Sequence, residues 1–216
     1  MRHFSGIIIC LATLYGIASQ TIAQTVNADA VIQKTSQLYD EWGGMEVRFT
    51  AHIRHEQSGV SESAEGMIRM KKDKFVLTRP DMITWFDGTT QWTYLTQIDE
   101  VNIITPSDDD LRMLNPMILL RDYKKDFDVS YIGESTSSNA KSAYDLALVP
   151  KKKGDIEKIE MQIEKNTSLP AKLVLTMRNR MICVVTINEM KADKSPDEIF
   201  SFPKSSYPDA DIIDLR

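Results

Sequence analysis

From Met45 onward, apolar and polar residues alternate with a period of two along most of the chain. Val47, Phe49, Ala51 and Ile53 alternate with Glu46, Arg48, Thr50, His52 and Arg54. The same pattern carries Ile68 and Met70, Trp92 and Tyr94, Val101 and Ile103, then Phe127, Val129 and Tyr131, and Tyr144, Leu146 and Leu148. It resumes through 159–163, 173–177 and 181–187, and Phe200 and Phe202 close the series. Such runs predict strands with one buried and one wet face. Turn signals separate them, among them Gln57-Ser58-Gly59, Lys72-Asp73-Lys74, Asp87-Gly88 and Lys153-Gly154-Asp155, at the spacing of an antiparallel sheet of about ten strands.

Helical periodicity is scarce. One amphipathic helix is predicted over 28–42, with Asn27 as its cap, Val31, Thr35, Leu38, Tyr39 and Trp42 on one side, and Gly43-Gly44 as its stop. A second helical stretch interrupts the strands at 108–122. Ser107 and Asp110 have capping-box spacing. Asn115-Pro116 then breaks and restarts the helix, because proline suits a first turn. The apolar hexad that follows, Asn115-Pro116-Met117-Ile118-Leu119-Leu120, has little polar surface and is suited to covering something apolar.

A long sheet with one apolar face must bury that face, and these short helices are a thin filling for it. The sequence therefore implies a partly filled apolar concavity. Candidate lining residues are Phe49, Ile53, Ile68, Met70, Phe75, Trp85, Trp92 and Tyr94, with Leu114, Met117, Ile118 and Leu120 as the covering helix. In the empty state Met117, Ile118 and Leu120 are expected to contact Trp92 and Tyr94. The aromatic residues fit ordinary core equally well. Lys72 also has two readings. Extending the phase of Ile68 and Met70 puts it on the apolar side as a cation at the cavity rim, whereas a strand ending earlier leaves it in a solvated turn with Lys71 and Lys74.

The N-terminus adds a compartment. Arg2 and His3 precede a mostly apolar run from Phe4 to Ala18, and Thr21-Ile22-Ala23 is a small-x-small cleavage site before Gln24, the pattern of a secretory signal over residues 1–23. Removing it leaves one domain at 24–216 and takes the formal charge from −5 to −6, since Arg2 is the charged residue lost. An acidic, mixed-charge surface argues against nucleic acid as a partner, and the product is expected to be a soluble monomer. Cys10 lies in the signal and leaves Cys183 alone, so no internal disulfide is available; its alternation with Met181 and Val185 places it in the core.

Catalytic motifs are missing. There is no Gly-x-Ser-x-Gly, His-Glu-x-x-His, Cys-x-x-Cys or phosphate-cradling glycine loop. His52 and His55 fall on or beside the polar side of one strand, and Asp108-Asp109-Asp110 lacks the ligand spacing of a calcium loop. No enzyme activity, metal or cofactor is expected.

Several motifs occur in a telling order: Gly66-Met67-Ile68-Arg69-Met70-Lys71-Lys72, then Arg79-Pro80-Asp81, then Asp87-Gly88-Thr89-Thr90-Gln91-Trp92-Thr93-Tyr94, and Asn115 to Leu120. With the closing Asp197-Glu198-Ile199-Phe200-Ser201-Phe202-Pro203, this order resembles the periplasmic outer-membrane lipoprotein carrier family (LolA). The resemblance implies a mainly β fold, a single curved antiparallel sheet forming a half-open barrel with short helices as a lid over an apolar cavity. It implies a periplasmic carrier that takes acylated lipoproteins from an inner-membrane ATP-driven (ABC-type) exporter and passes them to an outer-membrane acceptor. The family's strand-end arginine, which helps to close the lid, aligns with Lys72 here. Two other readings share the fold: a periplasmic lipoprotein- or lipid-sensing domain, and a carrier for another hydrophobic product.

Overall fold

A computed structural model describes residues 26–114 and 119–216, and for residues 109, 112, 113 and 119–122 it describes the backbone alone. The signal segment expected at 1–23 and the Met117 and Ile118 positions lie outside the described residues, as does the side chain of Leu120.

The chain begins with helix α1 (Ala28–Trp42). Asn27 caps it, with its side-chain oxygen accepting from the Ala30 N–H at 3.1 Å, and Gly43 ends it in the left-handed region at φ 69°. The buried stripe is Ala28, Ile32, Thr35 and Tyr39. Ile32 belongs to it although the helical spacing of the larger residues does not single it out. Six strands follow: β1 (Met45–His55), β2 (Ser61–Lys71), β3 (Lys74–Thr78), β4 (Met82–Phe86), β5 (Gln91–Leu95) and β6 (Glu100–Ile104). Two short helices, α2 (Asp108–Leu114) and α3 (Leu119–Asp126), lead to β7 (Phe127–Thr136), β8 (Ser142–Pro150), β9 (Ile156–Glu164), β10 (Pro170–Met177) and β11 (Met181–Ala192). The predicted capping box opens α2. The Asp110 carboxylate accepts from the Ser107 hydroxyl and N–H at 2.6 and 3.0 Å, and the Asp110 N–H donates to the same hydroxyl at 3.2 Å. These bonds hold the Asp110 carboxyl below its ordinary pKa.

All these strands and a last one, β12 (Asp211–Asp214), form a single sheet in the order β12-β6-β5-β4-β3-β2-β1-β11-β10-β9-β8-β7. Every neighbouring pair is antiparallel except β12 and β6, which run parallel. The two edge strands, β12 and β7, do not pair with each other, so the sheet stays an open half-barrel. Its concave face carries the main core: Val47, Ile68, Met70, Phe75 and Leu77 from one half, and Leu146, Leu148, Ile159, Met161, Leu173 and Leu175 from the other, packed with Ile32 and Tyr39 of α1.

The apolar side of the sheet changes face between β3 and β4. Cross-strand partners point to one side, and the register pairs Leu77 with Thr84, Thr84 with Thr93, and Thr93 with Asn102. The concave row that begins with Val47, Ile68 and Leu77 therefore becomes polar. Its neighbouring row, Val76, Trp85, Trp92 and Ile103, lies on the convex face. Residues after β11 cover that face. Phe202 and Tyr207 pack edge-on to Trp85 at 5.4 and 5.7 Å, and Tyr94 lies 4.5 Å from Tyr207. Phe200 is fully buried in a 3-10 turn, Asp197–Phe200, which Lys71 and Lys74 hold by ion pairs to Asp197 at 2.7 and 2.8 Å. Phe200 and Phe202 are thus not a strand of the series, as alternation suggested, but part of a strap that ends by adding β12 to the sheet edge.

Candidate functional site

The concave face is not filled along its whole length. Helix α1 packs against α3 and β7, and a cavity remains on the concave face from β10 across β11 and β1 to β4, with a total empty volume of about 870 Å³, open mouth included. Strand β1 supplies Val47, Phe49, Ala51 and Ile53. Ala64 and Ile68 come from β2, Leu77 from β3, Met82 from β4, Leu173 from β10, and Cys183, Val185 and Ile187 from β11. Leu114, the last residue of α2, closes one side, and Leu111 of the same helix packs against the core. Apart from Arg79, every lining side chain among the described residues is apolar.

Alternation explains the wall. Residues 47, 49, 51 and 53 all face inward, with a bulge between Arg48 and Phe49 in the pairing to β11. Gly66 stands opposite Phe49. A Cβ there would come within 2.6 Å of the Phe49 ring, so glycine lets this ring lie against the wall of β2.

Arg79 sits at the end of β3. Its Nε and one terminal nitrogen donate to the two Asp81 carboxylate oxygens at 3.0 and 2.8 Å. The pair satisfies the guanidinium while its stem lines the cavity. Burial pushes the Cys183 thiol above its ordinary pKa, so it is a poor nucleophile in the cavity wall. Among the described residues no cluster of His, Cys, Asp and Glu could hold a metal ion, and no helix is long and apolar enough to cross a membrane.

Of the sequence candidates, Phe49, Ile53, Ile68 and Leu114 line this cavity. Met70 and Phe75 share the concave face but are fully buried in the core beside it. Three aromatic candidates are corrected. Trp85, Trp92 and Tyr94 face the convex side, because the register that points Leu77 and Thr84 inward points them outward. The expected contact of Trp92 and Tyr94 with Met117, Ile118 and Leu120 involves side chains outside the described residues.

Of the two readings of Lys72 the solvated turn holds, and the cavity-rim reading that made it a site candidate is corrected. Lys72 is an exposed residue of the two-residue turn between β2 and β3, with φ 54°, and its carbonyl accepts from the Tyr39 hydroxyl at 3.0 Å. That turn is at the opposite end of the strands from Ile53, Met82 and Cys183 of the cavity wall. The cation on the cavity wall is Arg79, which is not among the sequence candidates. Extending the phase of Phe75 and Leu77 by two positions leads to it.

The family model for the outer membrane lipoprotein carrier protein LolA matches residues 19–181. The chain belongs to this family. No curated protein matches it in sequence. Among solved structures, an uncharacterized conserved protein from Thermus thermophilus superposes with a TM-score of 0.57 at 14% identity, over 87% of this chain and 98% of that one. A DUF1329 family protein from Desulfovibrio piger gives 0.49 at 12% identity, over 84% and 100%. A LolA superfamily protein from Nitrosomonas europaea gives 0.47 at 11% identity, over 82% and 98%. At these identities the Thermus likeness speaks to the fold alone. In LolA-family terms, the open twelve-stranded sheet and the helices across its hollow are the half-barrel and lid that the sequence motifs implied.

Proposed function

We propose that this protein is a carrier of acylated cargo, holding a fatty acyl chain of a lipoprotein in the concave cavity and shielding it between an inner-membrane exporter and the outer membrane. The observation that carries the reading is the cavity itself, an apolar hollow closed on one side by Leu114 of α2. Membership of a family described as lipoprotein carriers supports it. No covalent step is needed, and the wall offers none: its thiol is held protonated by burial.

Binding has to be reversible. Full burial of a chain of ~16 carbons at about 0.8 kcal/mol per CH₂ would be worth roughly 12 kcal/mol, and release would be slow. A cavity with an open mouth buries such a chain incompletely, and displacing Leu114 and its helix costs part of the remainder. Both effects bring the net affinity into the range of a carrier. The test is to identify what copurifies with the protein and to titrate it with a fluorescent fatty acid. Acylated protein or lipid in the purified material, with probe binding weakened by Leu114→Asp, supports the reading. A protein that emerges empty and fails to bind any acyl probe refutes it.

A further inference from the structure

The two ends of the half-barrel differ in chemistry. Strand directions put the turns at 56–60, 79–81, 96–99, 151–155 and 178–180 at one end, together with the end of α3. The cavity reaches that end. Ile53 lies two residues before the end of β1, Cys183 two residues after the start of β11, and Met82 opens β4. Lys72 and the other β2–β3 turn residues lie at the opposite end.

Basic residues gather at the end that Ile53, Met82 and Cys183 approach. Lys124, Lys151, Lys152, Lys153, Arg178 and Arg180 are all exposed. Hydrogen bonds tie their loops into one surface: Lys151 Nζ donates to the Lys124 carbonyl at 2.5 Å, Arg178 Nε to the Gly154 carbonyl at 2.8 Å, and the Glu56 N–H to the Arg180 carbonyl at 3.2 Å. Asp126, Asp128 and Asp155 are interleaved, and Lys151 pairs with Asp128 at 3.8 Å, but on the 151–155 and 178–180 loops and the end of α3 the basic groups outnumber them. The acids of the neighbouring turns include Asp81, which pairs with Arg79, and Asp99, which accepts from Tyr94. The same end carries exposed aliphatic side chains. Val60, Ile98 and Val149, three of the six large apolar residues that stand exposed among the described ones, are on its turns or at its strand ends.

We infer that this end docks on the headgroup layer of an anionic phospholipid bilayer, with the lysines over the phosphates and the aliphatic tips in the interface. The end of the cavity lined by Ile53, Met82 and Cys183 then lies toward the surface where acyl chains are found; that consequence rests on the carrier reading above. An acidic protein would satisfy the lysines, but separate aliphatic side chains on two turns and a strand end suit a soft interface better. Cationic groups near an anionic leaflet each add to the attraction, and salt screens it.

The experiment is cosedimentation of the protein with phosphatidylcholine vesicles and with vesicles in which about a third of the lipid is phosphatidylglycerol. Partitioning about tenfold stronger onto the anionic vesicles, and largely lost at about 0.5 M NaCl, is expected. Lys152→Glu combined with Lys153→Glu should abolish it, Val60→Ser with Ile98→Ser should weaken it, and Lys72→Glu at the far end should leave it unchanged. Equal binding to both vesicles, no binding, or an equal loss in Lys72→Glu overturns the proposal, as does capture of polyglutamate without capture of vesicles. Titration with a soluble fatty-acid probe separates the two readings. Probe uptake without vesicle binding sinks the docking surface alone, whereas vesicle binding without probe uptake sinks the carrier.

Discussion

The Tyr207 ring lies 4.5 Å from the ring of Tyr94, on the face of the sheet opposite the cavity. Trp85 and Phe202 complete the cluster, at 5.7 and 5.5 Å from Tyr207. The strap after β11 therefore supplies the second hydrophobic layer that β4 to β6 lack on their concave side. Tyr207→Ala removes the shared partner of three rings. It should lower the unfolding free energy by about 1–3 kcal/mol in a denaturant titration followed by circular dichroism. Acyl-probe affinity should stay within about twofold, since additivity holds for sites that share no partner. A large loss of affinity at unchanged stability would show that the convex cluster and the cavity are coupled.

This cluster also marks where the sequence stopped being legible. Period-two alternation located nine of the twelve strands, missing β3, β4 and β12, and cap and stop residues bounded α1. Alternation states which residues share a face, but not which face is concave. Trp92 and Tyr94 alternate as cleanly as Phe49 and Ala51, and only pairing through β3 and β4 shows that the two sets point to opposite sides. Thr84, Gln91 and Thr93, which take the concave positions instead, were the available hint. The cavity wall itself was half legible. Phe49, Ile53 and Ile68 follow from β1 and β2, whereas Cys183, Val185 and Ile187 enter because β11 pairs with β1 across most of the sequence, a contact that no local pattern announces.

Gly66 tests the wall directly. A Cβ at this position would meet Phe49 Cζ at 2.6 Å and Cε1 at 3.1 Å, and the ring is the free end of a side chain next to empty space. Gly66→Ala should therefore turn the ring into the cavity rather than break the sheet. The expected result is a fatty-acid affinity lower by about tenfold, equivalent to about 1.4 kcal/mol, with stability changed by about 1 kcal/mol or less, because alanine also restricts the unfolded chain. Unchanged affinity would mean that cargo does not use the space beside Phe49.

Cys183 offers a reporter in the same wall. Among the described residues it is the free thiol, it lines the cavity, and burial raises its pKa. A thiolate-specific reagent at about pH 8 should react at least about tenfold slower than with a free cysteine. A bound acyl chain should slow the reaction further, and Leu114→Ala should speed it by opening the side that α2 closes. Loss of protection by acyl ligand, with binding still measurable, would place the cargo elsewhere on the molecule.

Tyr123 ties the third helix to the first. Its hydroxyl donates to the Asp29 carboxylate at 3.1 Å and lies 3.2 Å from the Asp29 carbonyl, and its ring is buried in the core. Burial first, and the Asp29 bond second, push its pKa up to about 12. A folded pKa above the unfolded value of about 10 means that this tether stabilises fully below about pH 10. The contribution is lost as the pH rises through about 12. Absorbance at the tyrosinate band should then show one tyrosine titrating near 12, and that component should vanish in Tyr123→Phe. Tyr123→Phe should also cost about 1 kcal/mol of stability at neutral pH, where the hydrogen bond is lost but the ring remains, and should erase the alkaline fall assigned to this residue. Because α3 is joined to α2, whose Leu114 borders the cavity, loosening this tether should speed acyl-probe exchange several-fold in stopped-flow displacement. Faster exchange with unchanged affinity would place Tyr123 in control of opening. An unchanged exchange rate, with the alkaline step gone, would confine it to holding α3 against α1.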